Sequence, residues 1–146
     1  MAGFTLKIAE DVTASEDAGT VLPLRDAAGD LMTYGPDARP VTLTIAGSYS
    51  QRYRDAEKAF GVRVNKLRSR GADDEIGKLM AKRAVALAGA CVLAWDGFFV
   101  DANETTPLAC TPDNAEAVFN AAPWLFDQAL GRMFDHAGFS RPTSSP

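Results

Sequence analysis

The first 46 residues show the period of two that is typical of half-buried strands. Residues 4–8 and, more clearly, residues 41–45 alternate between apolar and polar side chains. A third apolar run at residues 21–24 contains Pro23, which places that strand at the edge of a sheet. A turn at residues 28–30 then leads into a short apolar run at residues 31–34. The pattern predicts three or four short strands.

From Ser48 onward apolar residues recur every three or four positions, which predicts helices. Ser48 or Ser50 is suited to cap the first helix, and Gly71 is suited to end it. Three carboxylates at residues 73–75 then favour the start of a second helix. Its apolar face continues to Cys91, and we expect it to end near residues 95–97.

Two shorter helices are predicted towards the carboxyl terminus. Thr111-Pro112-Asp113 combines a capping threonine, a proline at the first helical position and an acidic residue, which indicates a helix from Pro112 to about Asn120. Pro123 starts a fourth helix, which ends before Gly138. We therefore predict an α+β fold, with a small antiparallel sheet or hairpins at residues 1–46, a four-helix region packed with it at residues 47–139, and a flexible tail at residues 140–146.

Charge is unevenly distributed along the chain. Fifteen Lys and Arg against nineteen Asp and Glu give a formal net charge of -4, which provides no general attraction for nucleic acid or anionic lipid. Residues 51–70 are the exception, with seven basic and two acidic side chains. The basic face proposed there consists of Arg52, Arg54 and Lys58 and would support a nucleic-acid-binding regulator, a reading that we rank below protein binding because the whole chain is acidic.

Residues that usually carry catalysis or bind metals are scarce. His136 is the single histidine, and we interpret it as a surface residue near the end of the last helix. Cys91 and Cys110 do not have the spacing of a zinc site or a disulfide framework, and the phosphate-binding and nucleophile-elbow motifs are missing from the sequence. The acidic loop at residues 96–104 lacks the glycine and glutamate positions of a calcium-binding loop. We expect no cofactor, no metal and no enzymatic activity.

Two stretches of the chain resemble a known family. The first is a strand that runs through Gly47 into a basic helix, preceded by the hairpin-like segment 24–31. The second combines Trp95-Asp96-Gly97, the helix start Thr111-Pro112-Asp113-Asn114 and the pair Pro123-Trp124. In this order, over about residues 20 to 130, they resemble the tail-assembly chaperones of long-tailed bacteriophages and prophages.

The resemblance implies a non-enzymatic role in virion morphogenesis. Such chaperones bind the tape-measure protein, keep it soluble and help the tail-tube protein to polymerise around it. It also implies action in the host cytoplasm, and the longest apolar run, residues 84–95, is too short to span a bilayer. A homo-oligomer is compatible with this role.

Aromatic side chains are the candidates for the partner-binding surface, because aromatic anchors dominate the energetics of protein interfaces. They are Trp95, Phe98, Phe99, Trp124 and Phe126. For Trp95 and Trp124 we favour a place in the core over the partner-binding surface, whereas the adjacent Phe98 and Phe99 are difficult to bury together from a loop. A minor structural protein of the tail or of the head-tail junction remains the main alternative function.

Overall fold

A computed structural model describes residues 2–140 of the chain, and within them seven helices and five strands form an α+β fold, as predicted. The strands are β1 (Thr20–Pro23), β2 (Thr33–Tyr34), β3 (Arg39–Pro40), β4 (Thr42–Ile45) and β5 (Val92–Asp96). The helices are α1 (Ala2–Ala18), α2 (Gln51–Ser69), α3 (Asp73–Ala81), α4 (Arg83–Cys91), α5 (Pro112–Ala121), α6 (Pro123–Met133) and α7 (His136–Ser140).

The main sheet is antiparallel and has the order β1-β4-β5. Leu43 at its centre lies opposite Leu22 on one side and Trp95 on the other, so these three side chains share the inner face of the sheet. β1 is an edge strand, as Pro23 predicted. The small β2–β3 hairpin joins this sheet through Leu24, which follows β1: Leu24 N donates to Val41 O, and Leu24 O accepts from Met32 N.

The inner face of the sheet packs against three helices in one core. Leu43 and Ile45 from β4 are buried in the same cluster as Cys91 from α4, Phe119 from α5 and Met133 from α6. Of the first two helices that the sequence predicts, only the segment that forms α4 lies in the middle of the core. α2 contributes the half-buried Tyr53 at the margin of this cluster.

The strand predicted at residues 4–8 is wrong, because the backbone there belongs to α1. Among the α1 side chains that the structure describes, residues 7–18, the buried one is Glu16, which is 1% exposed, while Ile8 is 58% exposed. Phe4, Ile8 and Val12 also recur every four positions, a helical spacing that the alternation at residues 4–8 obscured.

The second predicted helix is also partly wrong. It is divided at Lys82 into α3 and α4, and it ends at Cys91 rather than near residues 95–97. Residues 92–96 form β5 instead, because they complete the sheet on the free side of β4. An alanine-rich apolar run fits either structure locally, and pairing with a distant strand decides between them here.

The starts of the other three predicted helices are confirmed, but the described part of this region holds six helices rather than four, because the second is divided and α7 follows α6. The Oγ atom of Ser50 accepts a hydrogen bond from Tyr53 N at the start of α2, and that of Thr111 accepts one from Asn114 N at the start of α5. Pro123 opens α6. The predicted flexible tail lies outside the described residues, except for the backbone of Ser140 at the end of α7.

Candidate functional site

Trp95 and Phe98 form an aromatic pair where β5 leaves the sheet. Their ring centroids are 4.7 Å apart, and both side chains are half-buried against the core. The indole Nε1 of Trp95 donates a hydrogen bond to Leu108 O at 2.8 Å. This bond ties β5 to the segment that leads into α5, so the Trp95 ring is fixed in position and its single donor is already used.

Phe99 packs on the β2–β3 hairpin rather than on the core. Its ring centroid lies 5.3 Å from that of Tyr34, and the Tyr34 hydroxyl donates to Asp96 Oδ1 at 2.7 Å. The chain turns here at Gly97, whose φ of +100° and tight approach to Tyr34 and Val41 leave no room for a side chain. Phe98 therefore packs against Trp95 and Phe99 against Tyr34, and each is half-buried.

The loop between β5 and α5 is closed by the carboxylate of Asp101. This carboxylate accepts hydrogen bonds from the hydroxyl of Thr105 and from the backbone N–H groups of Thr105 and Thr106. The hydroxyl bond, followed by the bond from the Thr106 N–H, lowers the pKa of Asp101 below its usual value. Beside this turn Val100 is 61% exposed, so the loop is ordered internally while it presents an apolar side chain to solvent.

On α6 the two aromatic candidates have different surroundings. Phe126 packs edge-on against Phe119 of α5, with ring centroids 5.9 Å apart, and is half-buried. Trp124 is 40% exposed, so the core position that we favoured for it is wrong. The side chain of Gln128 holds this part of the molecule together, because its Nε2 donates to both Trp124 O and Arg25 O.

The structure thus brings Trp95 and Phe98 together in a ring contact, with Phe99 next to Phe98 on the same loop. Trp124 and Phe126 belong to a separate element, α6. Of the five candidates Trp124 has the most accessible side chain, since the other four are half-buried.

The proposed basic face is largely used within the molecule. Arg52 donates to Ala90 O at the end of α4, and Arg54 donates to Thr13 Oγ1 on α1. Lys58 is exposed one turn further along α2. Two of the three side chains therefore hold neighbouring helices together, which weakens the case for a phosphate-binding surface at this place.

A polar cluster that the sequence did not reveal joins Glu16, Ser48 and His136. His136 is the first residue of α7 rather than a residue at a helix carboxyl end, and its Nδ1 lies 2.7 Å from Glu16 Oε2. Its Nε2 lies 3.3 Å from Ser48 Oγ. No local pattern could have paired a glutamate and a histidine that are 120 residues apart.

The order serine, histidine, carboxylate is that of a hydrolytic triad, but the surrounding backbone does not complete one. The N–H groups of Ser48, Tyr49 and Ser50 donate to Met133 O, Glu16 Oε1 and Gly47 O. The donors nearest the hydroxyl are therefore not directed at a developing oxyanion. The Tyr49 ring also stacks on His136 at 3.7 Å, so the cluster is better described as a clasp that fastens α1 and α7 to the start of α2.

Both cysteines are free thiols in the described structure. Cys91 is fully buried, and this burial raises its pKa to about 12. Burial also raises the pKa of the half-buried Cys110. These environments favour the neutral thiol and do not favour a nucleophile or a metal ligand.

No match was found to any protein-family model, curated protein or solved structure. Among the described residues, no group of three or more His, Cys, Asp or Glu side chains is arranged to hold a metal ion. In the same part of the chain, none of the helices combines the length and apolar character needed to cross a membrane.

Proposed function

We propose that this chain is a non-enzymatic phage tail-assembly chaperone. Its client is the tape-measure protein, which it keeps soluble in the host cytoplasm while the tail-tube protein assembles. The first support is the sequence resemblance, which rests on the ordered series Trp95-Asp96-Gly97, Thr111-Pro112-Asp113-Asn114 and Pro123-Trp124.

The observation that carries this proposal is the exposure of Trp124. It stands in the Pro-Trp pair of the resemblance, on a helix anchored in the core through Leu125 and Ala129. A tryptophan that is 40% exposed on a rigid element gives a large apolar contact at a small cost in conformational entropy. It is therefore suited to anchor an apolar segment of a client.

The loop between β5 and α5, residues 97–110, carries Phe98 and Phe99, and we call it the aromatic loop. It is the second part of the proposed client site. Phe99 and Val100 lie on a loop whose shape is fixed by Asp101 and by the hydrogen bond between Val100 N and Thr106 O. Preorganised loops lose little entropy when a partner binds. Trp95 and Phe98 pack between this loop and the core. We expect them to contribute to client binding mainly by holding the loop in position.

The test is co-expression with the largest helical protein encoded beside this gene, with the soluble fraction of that client as the measurement. We expect the client to become soluble only in the presence of the chain. Trp124→Ala should reduce the soluble client several-fold, because loss of an aromatic anchor weakens an interface by about 2 kcal/mol or more. Phe134→Ala is the matched control, since Phe134 is another exposed aromatic residue, immediately after α6.

Thermal unfolding of both variants separates loss of binding from loss of fold. If the variants are folded and the client is equally soluble with each, Trp124 is not an anchor of the client site. If the wild-type chain neither binds the client nor changes its solubility, the chaperone proposal fails.

A further inference from the structure

The carboxyl-terminal half of α2 and the whole of α3 enclose a surface groove, which we call the α2–α3 groove. It has a volume of about 430 Å³. It is separate from the aromatic loop and from α6. Its lining consists of Arg63, Lys66, Leu67, Arg70, Glu75, Lys78, Leu79 and Lys82.

Three of these residues come from α2 and three from α3, and Arg70 and Lys82 follow as the C-caps of the two helices. Each set of four has the spacing i, i+3, i+4 and i+7 that forms one continuous stripe. Each stripe contains one leucine, Leu67 on α2 and Leu79 on α3, and both are half-buried. The charged residues around them are exposed. The groove therefore combines two apolar contact points with long, polar walls.

The charge on these walls is strongly one-sided. Five of the eight lining residues are Lys or Arg, and Glu75 is the only acidic one. Within residues 2–140 the ion pairs are Arg39 with Asp96, Arg83 with Glu57 and His136 with Glu16, so none of the five cations has a carboxylate partner. Arg63 lies over the Phe60 ring, with its Cζ 5.8 Å from the ring centroid, and this contact leaves its charge unneutralised. Five neighbouring cations without a carboxylate partner among the described residues present a local site for an anionic partner.

α3 is not needed to fill the core. It has no buried residue, and the core cluster contains no side chain from it. Its Met80 is 47% exposed, and α3 lies mainly against α2, with a smaller contact to α4. This element therefore presents a surface more than it stabilises the interior.

We propose that the α2–α3 groove binds an acidic amphipathic helix of a protein partner. Apolar side chains of that helix would contact Leu67 and Leu79, while its Glu or Asp residues would face the lysines and arginines of both walls. The two leucines and Glu75 favour a peptide over a nucleic acid. A phosphate backbone makes no favourable contact with the leucines, and the carboxylate of Glu75 repels it. The inference does not depend on the identity of the client or on the chaperone role.

The first experiment measures peptide binding to the full chain by fluorescence anisotropy. The probe is a helical peptide of about 18 residues, or about 27 Å, with leucines on one stripe and glutamates beside it. A peptide with every glutamate replaced by glutamine is the control, and a short mixed-sequence DNA duplex is the competitor. We expect the acidic peptide to bind at least about tenfold more tightly than its glutamine form, with a difference that shrinks as salt rises from ~0.05 to ~0.3 M.

Charge reversals locate the site. Lys66→Glu and Lys78→Glu should each weaken binding of the acidic peptide by about fivefold or more, because each replaces an attraction with a repulsion. Lys58→Glu is the matched control on the same helix outside the groove, and it should change the affinity by less than about twofold. All three side chains are exposed, so the variants should remain folded.

The proposal is overturned if the two peptides bind equally, or if Lys58→Glu weakens binding as much as the groove variants do. Tighter binding of the DNA duplex than of the acidic peptide, with loss of that binding in Lys66→Glu and Lys78→Glu, would assign the groove to nucleic acid and would also reject the proposal.

Discussion

Gly47 and Glu16 share one small space, and this contact holds three separate parts of the chain together. A Cβ atom on Gly47 would lie 2.0 Å from Glu16 Oε1, and Gly47 N donates to Glu16 O. The same carboxylate accepts a hydrogen bond from Tyr49 N and lies against His136. A buried carboxylate is tolerated only when its oxygens are satisfied in this way.

We therefore predict that Gly47→Ala lowers the free energy of unfolding by about 2–4 kcal/mol, because the new methyl group displaces Glu16 from its partners. Gly61→Ala is the matched control, since Gly61 lies within α2 and a Cβ there meets no atom within 4 Å. The control should raise the free energy of unfolding by about 0.5–1 kcal/mol. Urea denaturation of both variants measures the difference, and equal stabilities would refute the role of the clasp.

The sequence revealed the role of a side chain only where that role depends on residues nearby in the chain. The caps at Ser50 and Thr111 were predicted, because each bonds an N–H group three residues further along. The pairing of Glu16 with His136 was not, because it depends on how α1 and α7 meet. The exposure of Trp124 was also beyond local reasoning, since the helical pattern of α6 does not show which neighbours cover it.

Among the elements, the loop from Gly97 to Cys110 depends most clearly on a single titrating group. The carboxylate form of Asp101 is the acceptor for Thr105 and Thr106, and these bonds lower its pKa. A carboxyl group whose pKa is lowered on folding stabilises the folded loop above its ordinary pKa, and this contribution is lost as the pH falls through the lowered value.

The amide NMR signals of Thr105 and Thr106 should therefore titrate together, with a midpoint below 3.8, the usual pKa of an aspartate. In Asp101→Asn the step should disappear, because the side chain no longer ionises. A midpoint at or above 3.8 in the wild-type chain would show that the carboxylate does not close the loop.

The elements divide into those fixed by local signals and those fixed by distant partners. α2, α5 and α6 begin at caps or prolines, so their starts were readable from the sequence. β5 depends on the free side of β4, with Leu43 opposite Trp95 across 52 residues of chain. Reasoning from residues 84–95 alone could not choose the strand, because the same residues also satisfy a helical period.

The described part of the molecule has one main core and two separate candidate surfaces. β1, β4 and β5 form one sheet, and α4, α5 and α6 cover its inner face. The α+β class followed from the change of period along the sequence. The basic segment was also visible in the sequence. In the structure Arg52 and Arg54 form hydrogen bonds within the molecule, and the basic residues without a carboxylate partner line the α2–α3 groove instead.

Quantitative mass spectrometry of phage-producing cells and of the purified particles tests the central claim most directly. The measurement is the ratio of this chain to the tape-measure protein in the lysate, in complexes captured through this chain, and in finished virions. A chaperone should be captured with the tape-measure protein from the lysate and be absent from the virion. A fixed number of copies in every particle, without capture of the tape-measure protein before assembly, would contradict the account and identify a structural protein of the tail or of the head-tail junction.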